Sequence, residues 1–63
     1  MERYFVLINY VSIKVATTVH EHLEIIHNVT ASSEEEAIGQ AYIFFEKNYP
    51  NCYIIRIVPQ LVQ

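Results

Sequence analysis

Residues 31–49 read ASSEEEAIGQAYIFFEKNY, and how this stretch folds decides the fold of the chain. Ser32 and Ser33 can each cap a helix, and each has a glutamate three residues on, the capping-box spacing. Ala37, Ile38, Ala41, Tyr42 and Phe45 recur at helical intervals and form one apolar stripe. Ala37 and Ala41 are small, so the helix can lie close to a sheet. Gly39 costs about 1 kcal/mol in a helix interior. Pro50 ends the helix and biases Tyr49 towards an extended conformation.

On either side of this helix the pattern changes from helical spacing to alternation. From Tyr4 to Ala16 the chain is dominated by β-branched and aromatic residues, with Val11, Ile13 and Val15 alternating against Ser12 and Lys14. This predicts a long first strand. Polarity rises at Thr17-Thr18. A second strand is predicted from about Val19 to Thr30, with Leu23, Ile25, His27 and Val29 on one face. A third runs from Cys52 to Val58, where Pro59 is expected to limit further pairing.

The order is β-β-α-β, which makes this an α+β domain. The first two strands form an antiparallel hairpin, and the helix carries the chain back across one face by a right-handed crossover. The third strand pairs beside the first, giving a three-stranded antiparallel sheet of order 2-1-3 with one helix on one face. Phe5, Leu7, Val11, Ile13, Leu23, Ile25, Ile55 and Ile57 are expected to face the helix. The opposite parity holds Tyr4, Val6, Ile8, Tyr10, Ile26, Ile54 and Val58, a set too apolar for an ordinary solvated face. A contiguous apolar patch of this kind marks an interaction site. A bulge that shifts strand parity would instead hide some of these side chains.

Sixty-three residues make a single domain that buries only about 60% of the surface its unfolded chain exposes. Such domains lean on disulfides, a metal or association. Cys52 is the only cysteine, which excludes an internal disulfide and fits a reducing, cytoplasmic setting. The chain is 52% hydrophobic and 17% charged, so apolar side chains are expected on the surface. The net charge is −3, and all seven acids are glutamates. That balance argues against direct nucleic-acid binding, which needs a basic stripe. The N-terminal MERYFVLINYVSIKV is interrupted by Asn9, Ser12 and Lys14, reads neither as a signal peptide nor as a span, and gives no reason to expect a membrane. The sequon Asn28-Val29-Thr30 is read as chance.

Few residues suggest chemistry. His20, His22 and Glu24 share one strand face at i, i+2, i+4, a spacing that suits zinc or copper, but no cysteine or aspartate accompanies them. An exposed polar edge is the simpler reading. His27, among apolar positions, is expected to be partly buried. Cys52 has no cationic neighbour to activate it and reads as a small hydrophobe. Gly39 is the only glycine, which removes phosphate-cradling loops. We expect no enzyme activity and no cofactor. Glu34, Glu35 and Glu36 open the helix, where negative charge complements the macrodipole by about 0.3–1 kcal/mol per group. The same acids could steer the chain onto a basic partner.

The run from NVTASSEEEAIGQA through YPNCYIIRIVP resembles the small bacteriophage inhibitors of bacterial RNA polymerase. The likeness rests on Ala31 before a capping serine, on Glu35, Glu36 and Ala37, on Ala41, and on the ending Arg56-Ile57-Val58-Pro59. It lies mainly in residues 28–59. The resemblance implies one helix on a three-stranded antiparallel sheet. It also implies that Arg56, with nearby acids matched in character by Glu34 and Glu35, contacts the polymerase jaw in the DNA channel. The family carries a second arginine where this chain has Val58.

The expected function is that of a non-enzymatic inhibitor acting in the host cytoplasm. RNA polymerase is the favoured target, with a CRISPR effector or another defence protein next. The candidate contact residues are Arg56, Ile54, Val58, Glu34, Glu35, Tyr4 and Tyr10. Arg56 is expected to lie between Ile54 and Val58 on the open face, with Ile55 and Ile57 turned to the helix. The alternative is a small self-assembling structural protein that dimerises through its apolar sheet face.

Overall fold

Strand β1 (Glu2–Ser12) runs through the middle of the sheet, with β2 (Glu21–Ala31) on one side and β3 (Cys52–Leu61) on the other. The computed structural model describes residues 1–12 and 21–62. Both neighbours are antiparallel to β1, and helix α1 (Glu34–Asn48) links β2 to β3. The three-stranded antiparallel sheet of order 2-1-3 with β-β-α-β succession is therefore as the sequence predicts. The expected extension of the first strand to Ala16, and the start of the second at Val19, lie outside the described residues.

The helix begins where the sequence says it should. Ser33 is extended at φ −156°, and its hydroxyl accepts the Glu36 N–H at 3.2 Å. This satisfies one of the free donors of the first turn. The carboxylate of Glu36 turns to Ser32, whose hydroxyl donates to it, and to Gln40, whose amide donates to it at 3.3 Å. The Ser32 bond is the main cause holding the Glu36 carboxyl below its usual pKa. Gln40 also donates to the Thr30 carbonyl at 3.1 Å, tying the helix to the end of β2. At the other end the Tyr49 N–H bonds the Phe45 carbonyl at 2.8 Å, and Pro50 follows.

Ala37, Ala41 and Phe45 lie on the buried side of α1. Beneath them are Tyr4, Val6, Ile8 and Tyr10 of β1, with Val29 and Ala31 of β2. Val6 and Ile8 are fully buried. The two alanines are small enough to let the helix lie close, and Phe45 packs edge-on to Tyr10 at 5.3 Å and stacks on Tyr49 at 5.2 Å. Such aromatic pairs add about 0.5–1.5 kcal/mol beyond the area they bury.

This reverses the expected facing of β1. Tyr4, Val6, Ile8 and Tyr10 lie under the helix, and Phe5, Leu7 and Val11 alternate away from it. The strand is apolar at both parities, so its period could not choose a face. Packing chooses, because Tyr10 completes the aromatic cluster with Phe45 and Tyr49. On β2 the expected Ile25 packs against the core, whereas Leu23 is exposed. Ile13 lies outside the described residues.

Strand β3 departs from regular alternation. Asn9 pairs with Arg56 and Tyr10 with Ile54, so Ile55 is an extra residue in the ladder. It is a β-bulge, two residues opposing one. Ile54 and Ile57 consequently both pack against the core, while Ile55 is 52% exposed. The expected helix-facing Ile55 is corrected, and Ile57 is kept. Nor does Pro59 end the strand. It pairs with Val6, and beyond it the Val62 N–H bonds the Arg3 carbonyl at 2.9 Å. An edge strand tolerates proline because it has neighbours on one side only.

Gly39 lies on the exposed side of α1, and a methyl group placed there would meet no atom within 4 Å. Its φ is not positive. Gly39→Ala should therefore stabilise the domain by roughly 0.5–1 kcal/mol, through the lower entropy of the unfolded chain. A urea midpoint that stays the same or falls would contradict this account of the helix.

Candidate functional site

Directly paired residues of antiparallel strands share a face, so the register reads out the side of the sheet away from the helix row by row. Asn28, Phe5 and Gln60 make one row, Ile26, Leu7 and Val58 the next, and Glu24, Asn9 and Arg56 a third. The middle row is apolar across all three strands. Phe5 is 41% exposed and Ile26 62% exposed. Among the described residues no helix or strand covers this face. Asn9, Glu24 and Arg56, with His22, line one shallow depression of about 350 Å3.

Arg56 thus stands on the open side, as predicted, with other neighbours than predicted. Val58 lies one row away on the same face. Ile54 does not, because the bulge turns it into the core. Tyr4 and Tyr10 are corrected as contact residues, since both are buried beneath α1. The Tyr4 hydroxyl donates to Glu2 at 3.1 Å. Burial raises the pKa of both phenols, and for Tyr4 the Glu2 hydrogen bond adds to it.

Glu34 and Glu35 are exposed at the start of α1. They are not part of the face that carries Arg56. The helix packs on the other side of the sheet, and its start lies by Tyr4, whose phenol feels the Glu34 charge. Tyr4 is five positions from Asn9, about 17 Å along the strand. The acidic and the cationic parts of the predicted site are therefore separate surfaces on opposite sides of the sheet.

Other singled-out residues take structural places. His27 is half-buried and stacks on Phe44, ring centres 3.9 Å apart and 9° from parallel. Cys52 is a free, half-buried thiol packed against the core. It lies in a groove of about 620 Å3 between the end of α1 and β3, lined by Tyr42, Phe45, Tyr49 and Tyr53 among others. His20 lies outside the described residues. Among the described residues no cluster of three or more His, Cys, Asp or Glu side chains is placed to hold a metal ion. Among them also, no helix is long and apolar enough to cross a membrane.

Asn9 and Glu24 are the members of the face that pattern reading overlooks. The signal for Asn9 was present, as the one amide within the apolar run from Tyr4 to Val11. Glu24 joins it only through the pairing register. Comparison with family models, with curated proteins and with solved structures finds no match for this chain.

Proposed function

We propose that this chain is a non-enzymatic binding protein that inhibits a host nucleic-acid enzyme by docking its open sheet face on it. The observation that carries the reading is the setting of Arg56. The arginine is exposed beside an apolar row formed by Ile26, Leu7 and Val58. Arginine against desolvated apolar contacts is the composition of an interface hot spot. The resemblance to phage inhibitors makes bacterial RNA polymerase the first target to test, with a CRISPR effector or other defence protein next. Glu34 and Glu35, on the opposite side, are placed to steer approach to a basic surface rather than to share the contact with Arg56.

Tagged protein incubated with bacterial lysate should capture such an enzyme. Arg56→Ala should weaken the capture by about 2 kcal/mol, roughly thirtyfold, with the circular dichroism spectrum unchanged. Equal capture by Arg56→Ala removes the open face from the reading. Recovery of no nucleic-acid enzyme counts against the target class.

A further inference from the structure

We infer that the open sheet face of the free protein is closed by a second copy of the chain, related by a two-fold axis running along β1. The charge and polarity pattern of the face points to this pairing. Two sheets stacked face to face about a two-fold are related by an axis lying in the plane between them. If that axis follows β1, left and right exchange, and β2 of one copy lies over β3 of the other. Glu24 then meets Arg56 of the second copy, and Arg56 meets its Glu24, giving two opposite-charge pairs from one row. Asn9 falls on the axis against its own copy, and an amide can both donate and accept.

The other rows agree. Ile26 meets Val58, and Leu7 meets Leu7. Asn28 meets Gln60, amide against amide, and Phe5 meets Phe5. This axis sets each row on its own copy, so what counts is the match of β2 with β3 within a row: Glu24 with Arg56, Ile26 with Val58 and Asn28 with Gln60 are complementary, and in the next row His22 meets Tyr53 and Val11 meets Val11. An axis across the strands would keep β2 over β2 and never bring Glu24 to Arg56. Arg3, also on this side, stands opposite Thr30 and lies about 13 Å from Leu7 along β1. Stacked sheets cross at about 30°, so the strands have diverged there.

The second copy and a target compete for one face, so the free dimer opens when a target binds. The inference does not depend on the target's identity, because the purified chain alone tests it. Light scattering at high micromolar concentration should give the mass of two chains. Glu24→Arg and Arg56→Glu each place like charges together in a homodimer, and each should weaken association roughly a hundredfold. Mixed in equal amounts, the two variants should associate again, because every pair in the mixed dimer is once more opposite in charge. Glu24 and Arg56 are exposed, and circular dichroism of each variant checks its fold. Should either fail to fold, Asn9→Asp serves instead, setting two carboxylates on the axis and weakening the wild-type dimer. A wild-type monomer, a dimer indifferent to the charge-reversed variants, or a mixture that stays monomeric would each overturn the inference.

Discussion

Phe45→Ala should cost about 3–5 kcal/mol and leave the isolated chain largely unfolded. Phe45 is 2% exposed and contacts both Tyr10 and Tyr49, so the substitution leaves a cavity in the aromatic cluster. Ala37 and Ala41 are already fully buried beside it. At about 0.05–0.15 kcal/mol per residue, a chain of this length has roughly 3–9 kcal/mol in all. The loss is therefore comparable with the whole. Urea denaturation followed by far-ultraviolet circular dichroism measures it. A loss below about 1 kcal/mol, within the range of an ordinary surface change, would mean that the aromatic cluster is not the centre of the core.

Ile8→Asp and Leu7→Asp, one residue apart, should have opposite outcomes. Ile8 is fully buried under the helix, and a carboxylate there has no partner. An unpaired buried charge costs several kcal/mol, so Ile8→Asp should not fold. Leu7 is on the other side, half-buried among Ile26 and Val58. Leu7→Asp should keep its helix and sheet and lose self-association, because the charge falls on the apolar row. Circular dichroism with light scattering on the two variants separates the effects. A folded Ile8→Asp with an unfolded Leu7→Asp would place the helix on the opposite side of the sheet.

That pair of variants also marks where sequence reading stops. The succession of elements, the cap at Ser33 and the stop at Pro50 are local signals, each written in a few adjacent residues, and they are legible. The side of β1 that faces the helix is not a local property. Tyr4, Val6, Ile8 and Tyr10 are as apolar as Phe5, Leu7 and Val11, and alternation between two apolar sets carries no direction. The choice is made by the fit of Tyr10 to Phe45 and Tyr49, residues more than thirty positions away.

The bulge at Ile55 is hidden for a similar reason. CYIIRIV shows no turn residue to announce an extra position, and a strict period of two sends Ile54 outward. Arg56 reads as open-facing from the sequence because its neighbour Ile57 turns inward. Its partners Asn9 and Glu24 needed the register of two strand pairs. The acidic start of the helix is legible in three consecutive glutamates, yet its separation from Arg56 depends on which side the helix covers.

The bulge and Pro59 lie on the same outer strand, and this makes the two margins of the sheet unequal. A bulge and a proline each interrupt the row of free backbone groups that a further strand needs. Among the described residues β3 has both, five positions or fewer apart, and β2 has neither. Lateral growth of the sheet by an incoming extended chain is thus directional. It is blocked beside β3, and β2 is the margin at which a foreign strand could be added.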